Sequence, residues 1–116
     1  MPLLYVDIIE GRTPAEIQTM LDAIHDAVVE AFQVPERDRY QVVRTHPAHE
    51  MVALDTGLGI PRSSALVVLH VVSRRRPREF KERFYSADLI VSVTENDDDD
   101  WSFGHGRAQF RTGELT

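Results

Sequence analysis

The sequence contains no cysteine and only one tryptophan in its 116 residues. The lack of cysteine excludes a disulfide framework and a thiolate metal site, so we expect a cytoplasmic protein. No apolar run approaches the ~18 residues of a membrane-spanning helix, and we therefore expect no membrane partner. Lysine and arginine number 13, against 19 acidic residues. The resulting net charge of −6 argues against binding to nucleic acid.

An internal repeat organises the chain. The segments "IIEGRTPAEI" at 8–17 and "VVSRRRPREF" at 71–80 share arginine, proline and glutamate positions at an offset of 63 residues. Each segment follows an apolar run typical of a strand and leads into a helical pattern. Thr13, Pro14 and Glu16 form the capping-box signature of a helix start. We therefore predict a single domain, 1–116, with repeats at about 2–45 and 65–95 and a C-terminal segment at 97–116.

Two β-α-β repeats predict an α+β fold, with a four-stranded mixed sheet and two helices on one face, because crossover connections are right-handed. The second strand is expected at roughly 40–45, and "MVALDTGLGI" at 51–60 is expected to add a short strand with a glycine-rich turn. The other sheet face, rich in leucine, valine and isoleucine, would be bare in a monomer. Such a face usually marks an oligomer interface, so we predict a symmetric homo-oligomer.

The second repeat is shorter than the first. Matching Asp38 to Asp88 gives an offset of 50 residues, which is 13 fewer than the offset of 63 at the start of the repeats. The difference corresponds to residues absent from the second helix or from the turn behind it. We interpret the difference as a stretch that the given sequence omits between about Tyr85 and Ser86. The alternative is that the protein itself lacks these residues.

Candidate catalytic and substrate-binding residues lie at the start of the first repeat and at the end of the strand that opens the second. Pro2 becomes a secondary amine once Met1 is removed, and an α-amino group has an ordinary pKa of ~8. A cationic amine would polarise an aldehyde, whereas a neutral amine would attack it to form an iminium or act as a general base. Arg74 and Arg76 would face the same way if their strand continues to residue 76. Guanidinium groups pair with carboxylates through two parallel hydrogen bonds, although a solvated surface is the alternative role for these arginines.

The segments "PLL..D.IEGRT", "VP..DRYQ.V", "DTGLG..RSSA", "SRRRP" and "DWSFGHGRAQF.TGEL" resemble the tautomerase superfamily, and within it the malonate semialdehyde decarboxylase family. The resemblance implies a homotrimer that decarboxylates a short 3-oxo carboxylate, malonate semialdehyde, to acetaldehyde and CO2 without a cofactor. It also implies that Pro2 and Asp38 are catalytic. The substrate-binding set that it implies consists of two arginines and an apolar wall: Arg74, Arg76, Trp101, Phe103, Phe110 and Leu115. Arg75 and His105 depart from the family pattern.

The same residues leave other functions open. A tautomerase or a hydratase of small unsaturated or oxo acids would use the same proline, arginines and acidic partner, and a non-catalytic trimeric binding protein is a further alternative. We expect a small carboxylate as the partner and no metal, because His46 and His49 flank a proline with no third ligand at a useful spacing. The run "DDDD" at 97–100 is interpreted as a solvated turn, and His25 as an ordinary surface or boundary residue.

Overall fold

The computed structural model describes residues 2–75, 89–102 and 109–113. Several sequence-based predictions fall outside these residues: the second helix, the stretch missing between Tyr85 and Ser86, and the roles of Arg76, Phe103, His105 and Leu115. Within the three described ranges, no helix combines the length and the apolar character needed to cross a membrane.

The described residues form four strands and one long helix. These are β1 (Leu3–Ile9), α1 (Pro14–Phe32), β2 (Tyr40–His46), β3 (Val67–Arg74) and β4 (Leu89–Asn96), with short helical turns at Ala48–Glu50, Asp98–Asp100 and Gln109–Thr112. The strands lie in the order β2-β1-β3-β4. β1 is parallel to β2 and β3 is parallel to β4, whereas β1 and β3 run antiparallel. The predicted four-stranded mixed sheet is therefore confirmed, and so is the second strand.

The start and the buried face of α1 follow from its sequence. The Thr13 hydroxyl accepts a hydrogen bond from the Glu16 backbone N–H at 3.2 Å, and the Glu16 carboxylate accepts one from the Thr13 N–H at 3.1 Å. Val28 and Phe32 bring the apolar stripe of the helix into the core. Because successive side chains of a strand point to opposite faces, β1 meets the core through alternate residues: Leu4, Val6 and Ile8.

Replacing the capping residue Thr13 by alanine should lower the free energy of unfolding by about 1 kcal/mol, because the first turn of α1 loses its side-chain acceptor. Urea denaturation followed by circular dichroism measures this loss. The matched control is Thr19→Ala, which removes an exposed hydroxyl that donates to the Ala15 carbonyl within the same helix at 3.1 Å. Equal losses in the two variants would contradict a capping role for Thr13.

The sheet face opposite α1, here called the open face, is less apolar than the sequence predicts. Leu3 and Ile9 of β1 lie on it, but Asp7 between them binds two basic side chains of β2. The Asp7 carboxylate accepts hydrogen bonds from Arg44 Nε and Nη2 at 3.0 and 2.9 Å, and from His46 Nε2 at 2.7 Å. We call these three residues the Asp7 cluster. The prediction of a leucine-, valine- and isoleucine-rich face therefore missed a charged group at its centre, whose partners lie 37 and 39 residues away.

The Asp7 cluster should make stability depend on acid pH. Burial alone would raise the pKa of Asp7, but hydrogen bonds from His46 and Arg44 outweigh burial, so this pKa lies below its ordinary value of 3.8. The stabilisation is fully present above that ordinary value and is lost as pH falls through the lowered pKa. Asp7→Asn should therefore lower the free energy of unfolding by about 1–2 kcal/mol at pH 7. Below pH ~4 the free energy of unfolding of this variant should fall less than that of the native chain.

Urea titrations at pH 7 and pH 3, at one protein concentration, measure both effects. Asp22→Asn is the matched control, because the Asp22 carboxylate also pairs with an arginine, Arg39, but its side chain is 54% exposed. We expect little change in the control, since exposed ion pairs contribute little to stability. A native chain and an Asp7→Asn variant with parallel pH profiles would rule out this role of Asp7.

The segment between β2 and β3 forms no strand at 51–60, so the predicted short strand is wrong. The predicted glycine-rich turn is present. Asp55 accepts hydrogen bonds from the backbone N–H groups of Gly57 and Gly59 at 3.0 and 2.8 Å, and both glycines have positive φ angles of 81° and 70°. Two left-handed residues so close together interrupt the extended backbone that a strand needs.

Candidate functional site

The topology brings three predicted site residues to one end of the sheet. β1 and β2 are parallel, and Leu3 pairs with Tyr40. Pro2 and Asp38 lie just before these two strands and are therefore at the same end of the sheet. β3 runs antiparallel to β1, so its last residue, Arg74, lies at the same end of the sheet. Sequence spacing alone gives no hint of this meeting, because 36 residues separate Pro2 from Asp38 and a further 36 separate Asp38 from Arg74.

Pro2 and Asp38 are both buried at this end of the sheet. Less than 2% of Pro2 is exposed, and 6% of Asp38 is. The chain reaches Asp38 through Gln33, which ends α1 in a left-handed conformation, and through a turn in which the Asp38 N–H donates to the Pro35 carbonyl at 3.0 Å. A carboxyl group with so little exposure is expected to act through defined partners rather than through bulk water.

His25 fixes the segment that carries Asp38. Its Nε2 donates a hydrogen bond to the Glu36 carbonyl at 2.7 Å, which joins the middle of α1 to the residues just before β2. The prediction that His25 is an ordinary surface or boundary residue is wrong, because only 7% of it is exposed. Its polar ring could be buried because the hydrogen bond to a main-chain carbonyl satisfies Nε2.

The contacts that hold Arg74 include an ion pair and a ring contact. Its Nε lies 2.7 Å from Asp98 Oδ1, and its guanidinium carbon lies 4.2 Å from the centre of the Phe110 ring. Both contacts come from the segment that follows β4. Arg75, the residue that departs from the family pattern, is exposed. The two neighbouring arginines therefore have different surroundings, and Arg74 is the one whose side chain is oriented.

A pocket of about 510 Å³ opens beside Arg74. The described part of its wall carries three basic and three acidic side chains together with one amide: Arg74, Arg75, Arg111, Asp97, Asp98, Asp99 and Asn96. Asn96 Oδ1 accepts a hydrogen bond from Trp101 Nε1 at 2.6 Å, which fixes the indole near the pocket. The formal charges of these described side chains cancel, so an anion would be held by the orientation of individual guanidinium groups and not by a net positive charge of this part of the wall.

The structure separates Pro2 and Asp38 from the described wall of this pocket. By alternation along β1 and β3, Pro2 lies on the side of α1 and Arg74 on the open face. They share an end of the sheet but not a face. A small substrate that touches both residues must therefore lie across the strand ends. Of the predicted apolar wall, Trp101 and Phe110 are described and both are half-buried near Arg74.

Sequence reasoning missed Asp98, because the aspartate run was interpreted as a solvated turn. The structure instead places Asp98 against Arg74, whereas Asp99 pairs with Arg111 at 2.7 Å. The two residues are adjacent and chemically identical, so composition could not single out one of them. The only signal in the sequence is that an acidic run follows one strand while an arginine run follows the strand beside it.

Comparison with known proteins identifies the family. Two family models described as tautomerase enzymes match residues 2–59 and 38–87. Probable tautomerase YrdN from Bacillus subtilis (strain 168) is 51% identical to this chain, and the match covers 99% of this chain and 100% of the relative. This chain belongs to the tautomerase superfamily. The match to YrdN extends over 129 positions, 13 more than the 116 residues of this superfamily member.

Two solved structures extend the comparison of this tautomerase-superfamily chain. A malonate semialdehyde decarboxylase is 50% identical and superposes with a TM-score of 0.94, covering 98% of this chain and 99% of that one. A fused 4-OT protein, described as a symmetric trimer, is 22% identical with a TM-score of 0.75, covering 96% of this chain and 98% of that one. The second likeness shows the shared fold. The resemblance to the malonate semialdehyde decarboxylase family is confirmed by the first.

Proposed function

We propose that this superfamily member decarboxylates malonate semialdehyde to acetaldehyde and CO2, with Pro2 and Asp38 as its catalytic residues. The observation that carries the proposal is the meeting of Pro2, Asp38 and Arg74 at one end of the sheet. The 50% identity to a malonate semialdehyde decarboxylase supports the choice of reaction. The buried positions of Pro2 and Asp38 support roles that depend on a local environment rather than on bulk solvent.

In the proposed reaction, Arg74 binds the substrate carboxylate, and Arg76 is the second anchor that the resemblance implies. The bond between the carboxylate carbon and C2 breaks, CO2 leaves, and the electron pair moves toward the aldehyde carbon. A cationic Pro2 amine would stabilise the resulting enolate by a hydrogen bond, whereas a neutral amine would first form an iminium and receive the pair as an enamine. In either case C2 takes up one proton. The enolate route then releases acetaldehyde directly, whereas the iminium route expels water when the iminium forms and takes up water to hydrolyse the product iminium to acetaldehyde and the free Pro2 amine.

We assign supporting roles to the remaining residues. Asp38 would orient a water molecule or favour the cationic form of the Pro2 amine. Trp101 and Phe110, with Phe103 and Leu115 from the resemblance, would form an apolar wall beside the carboxylate. Such a wall weakens the solvation of the carboxylate and favours charge dispersal as CO2 departs. The Phe110 ring lies 4.2 Å from the guanidinium carbon of Arg74, so the proposed carboxylate anchor and this part of the apolar wall lie on the same side of the substrate.

The proposed enzyme is a homotrimer that buries the open face. Tyr40 and Val42 on the edge strand β2 remain 40% and 44% exposed in a single chain. A trimer is also the form described for the fused 4-OT protein of the same fold. An isolated sheet face with exposed aromatic and aliphatic side chains is stabilised when it packs against another sheet.

Tautomerisation of a small oxo acid is the second candidate, because the 51% identical relative is named a probable tautomerase. A parallel assay with malonate semialdehyde and with an enol of a 2-oxo acid tests the two functions. Acetaldehyde is followed by coupling to alcohol dehydrogenase, and ketonisation by loss of ultraviolet absorbance. We expect a kcat/KM for decarboxylation well above that for ketonisation. Turnover of the enol alone would refute the proposed reaction and establish the second candidate.

A further inference from the structure

Arg74 receives its orientation from the segment after β4. Asp98 Oδ1 lies 2.7 Å from Arg74 Nε, and the Phe110 ring lies 4.2 Å from the guanidinium carbon. The ring contact restricts tilting of the guanidinium plane, and the carboxylate contact restricts rotation within that plane. The side chains of Arg74 and Asp98 are 31% and 39% exposed, so the pair lies at the rim of the pocket, where solvent would otherwise leave a long side chain mobile.

Asp98 is itself held in place. It begins the helical turn Asp98–Asp100, which two reciprocal bonds close. The Asp97 N–H donates to the Asp100 carboxylate at 2.9 Å, and the Asp100 N–H donates to the Asp97 carbonyl at 3.0 Å. The flanking bond between Trp101 and Asn96 ties the same turn to the end of β4, where Asn96 is paired with Arg74 across the sheet. The turn is therefore a rigid support for one carboxylate.

The geometry points to Asp98 as a positioning residue, which holds the guanidinium of Arg74 in the orientation that receives the substrate carboxylate. Asp98 engages Nε, whereas a carboxylate ligand pairs in parallel with two nitrogens of the fork. The negative charge of Asp98 also lowers the affinity of the pocket for anions, so orientation is gained at some loss of binding. This inference rests on the proposed function of Arg74 as the carboxylate anchor.

Two substitutions separate orientation from charge. Asp98→Asn keeps an oxygen that accepts from Arg74 Nε but removes the charge, whereas Asp98→Ala removes both. We expect Asp98→Ala to lower kcat about 10- to 100-fold, because a misplaced anchor misaligns the substrate. We expect Asp98→Asn to restore kcat to within about threefold of the native value and to lower KM, since the acceptor remains and the repelling charge is gone.

Asp99→Ala is the matched control. Asp99 lies in the same turn and loses the same charge, but it pairs with Arg111 and is 71% exposed. We expect its kcat to stay within about threefold of native, because Arg74 keeps its contact with Asp98, and its KM to fall with the loss of a negative charge from the pocket wall. Thermal unfolding is recorded for all three variants. A loss of kcat shared equally by Asp98→Ala and Asp99→Ala, or unrelieved in Asp98→Asn, would overturn the positioning role.

The Nε–H resonance of Arg74 in ¹H–¹⁵N NMR tests the inference without turnover. It should be sharp and shifted downfield in the native protein and in Asp98→Asn, and it should broaden by exchange with water in Asp98→Ala. An unchanged resonance in Asp98→Ala would overturn the inference. If no malonate semialdehyde is consumed by the native protein but the resonance behaves as expected, the proposed reaction fails while the contact between Asp98 and Arg74 stands.

Discussion

Replacing Pro2 by alanine should lower kcat/KM for malonate semialdehyde by about 10²–10⁴-fold, the range over which a positioned acid or base contributes to catalysis. Alanine also permits removal of Met1, so the variant keeps an α-amine. That amine is primary, however, and it lacks the pyrrolidine ring that restricts rotation about the N–Cα bond. The coupled acetaldehyde assay measures the loss.

Pro14→Ala is the matched control for Pro2→Ala. It makes the same change at the first residue of α1, where proline only favours the helix start. We expect its kcat/KM to stay within about twofold of native. Intact mass spectrometry adds a second check, because any fraction that retains Met1 has a blocked proline nitrogen and should be inactive. Full activity in Pro2→Ala, or in protein that retains Met1, would refute catalysis by the N-terminal amine.

Arg74→Ala should lower kcat/KM by about 10²–10³-fold, through both a lower kcat and a higher KM, because the substrate loses the carboxylate partner that aligns it and Asp98 keeps an unpaired charge. Arg75→Ala is the matched control. The two arginines are adjacent and both line the pocket, but Arg75 is exposed and Arg74 is clamped. Arg74→Lys should fall between native and alanine, since an ammonium group cannot form two parallel bonds in one plane.

Steady-state kinetics of the three arginine variants, with thermal unfolding as a check of the fold, measure this prediction. We expect Arg75→Ala to change kcat/KM less than threefold, in line with the small contribution of an exposed charge. Equal losses of kcat/KM in Arg74→Ala and Arg75→Ala would mean that the substrate carboxylate is bound by the combined positive charge of the pocket and not by the oriented guanidinium group of Arg74. A larger loss in Arg75→Ala would exclude Arg74 as the carboxylate anchor.

The local elements were predictable from the sequence because their signals are local. The capping box of Thr13 and Glu16 determines where α1 begins, and the two similar segments after each strand determine the β-α-β repeat. The predicted short strand at 51–60 failed for an equally local reason. Its apolar residues suggested an extended segment, but the left-handed angles of Gly57 and Gly59 favour a turn.

The missed features depend on contacts between distant residues. Asp7 lies in an apolar strand, and only the register of β1 and β2 brings Arg44 and His46 to it. The sequence around His25 indicates a surface residue, because it does not show that His25 Nε2 bonds to the main-chain carbonyl of Glu36. Pro2, Asp38 and Arg74 were named through resemblance, and the parallel and antiparallel pairing of the strands is what brings them to one end of the sheet.

A proton NMR time course of malonate semialdehyde in D2O, with the native protein, with Pro2→Ala and with no protein, tests the central proposal most directly. We expect acetaldehyde carrying deuterium in its methyl group to accumulate with the native protein, about 10²–10⁴-fold more slowly with Pro2→Ala, and at the uncatalysed rate without protein. Deuterium exchange at C2 without loss of CO2 would instead reveal a tautomerase. That result, or an unchanged substrate in all three samples, would contradict decarboxylation by this protein.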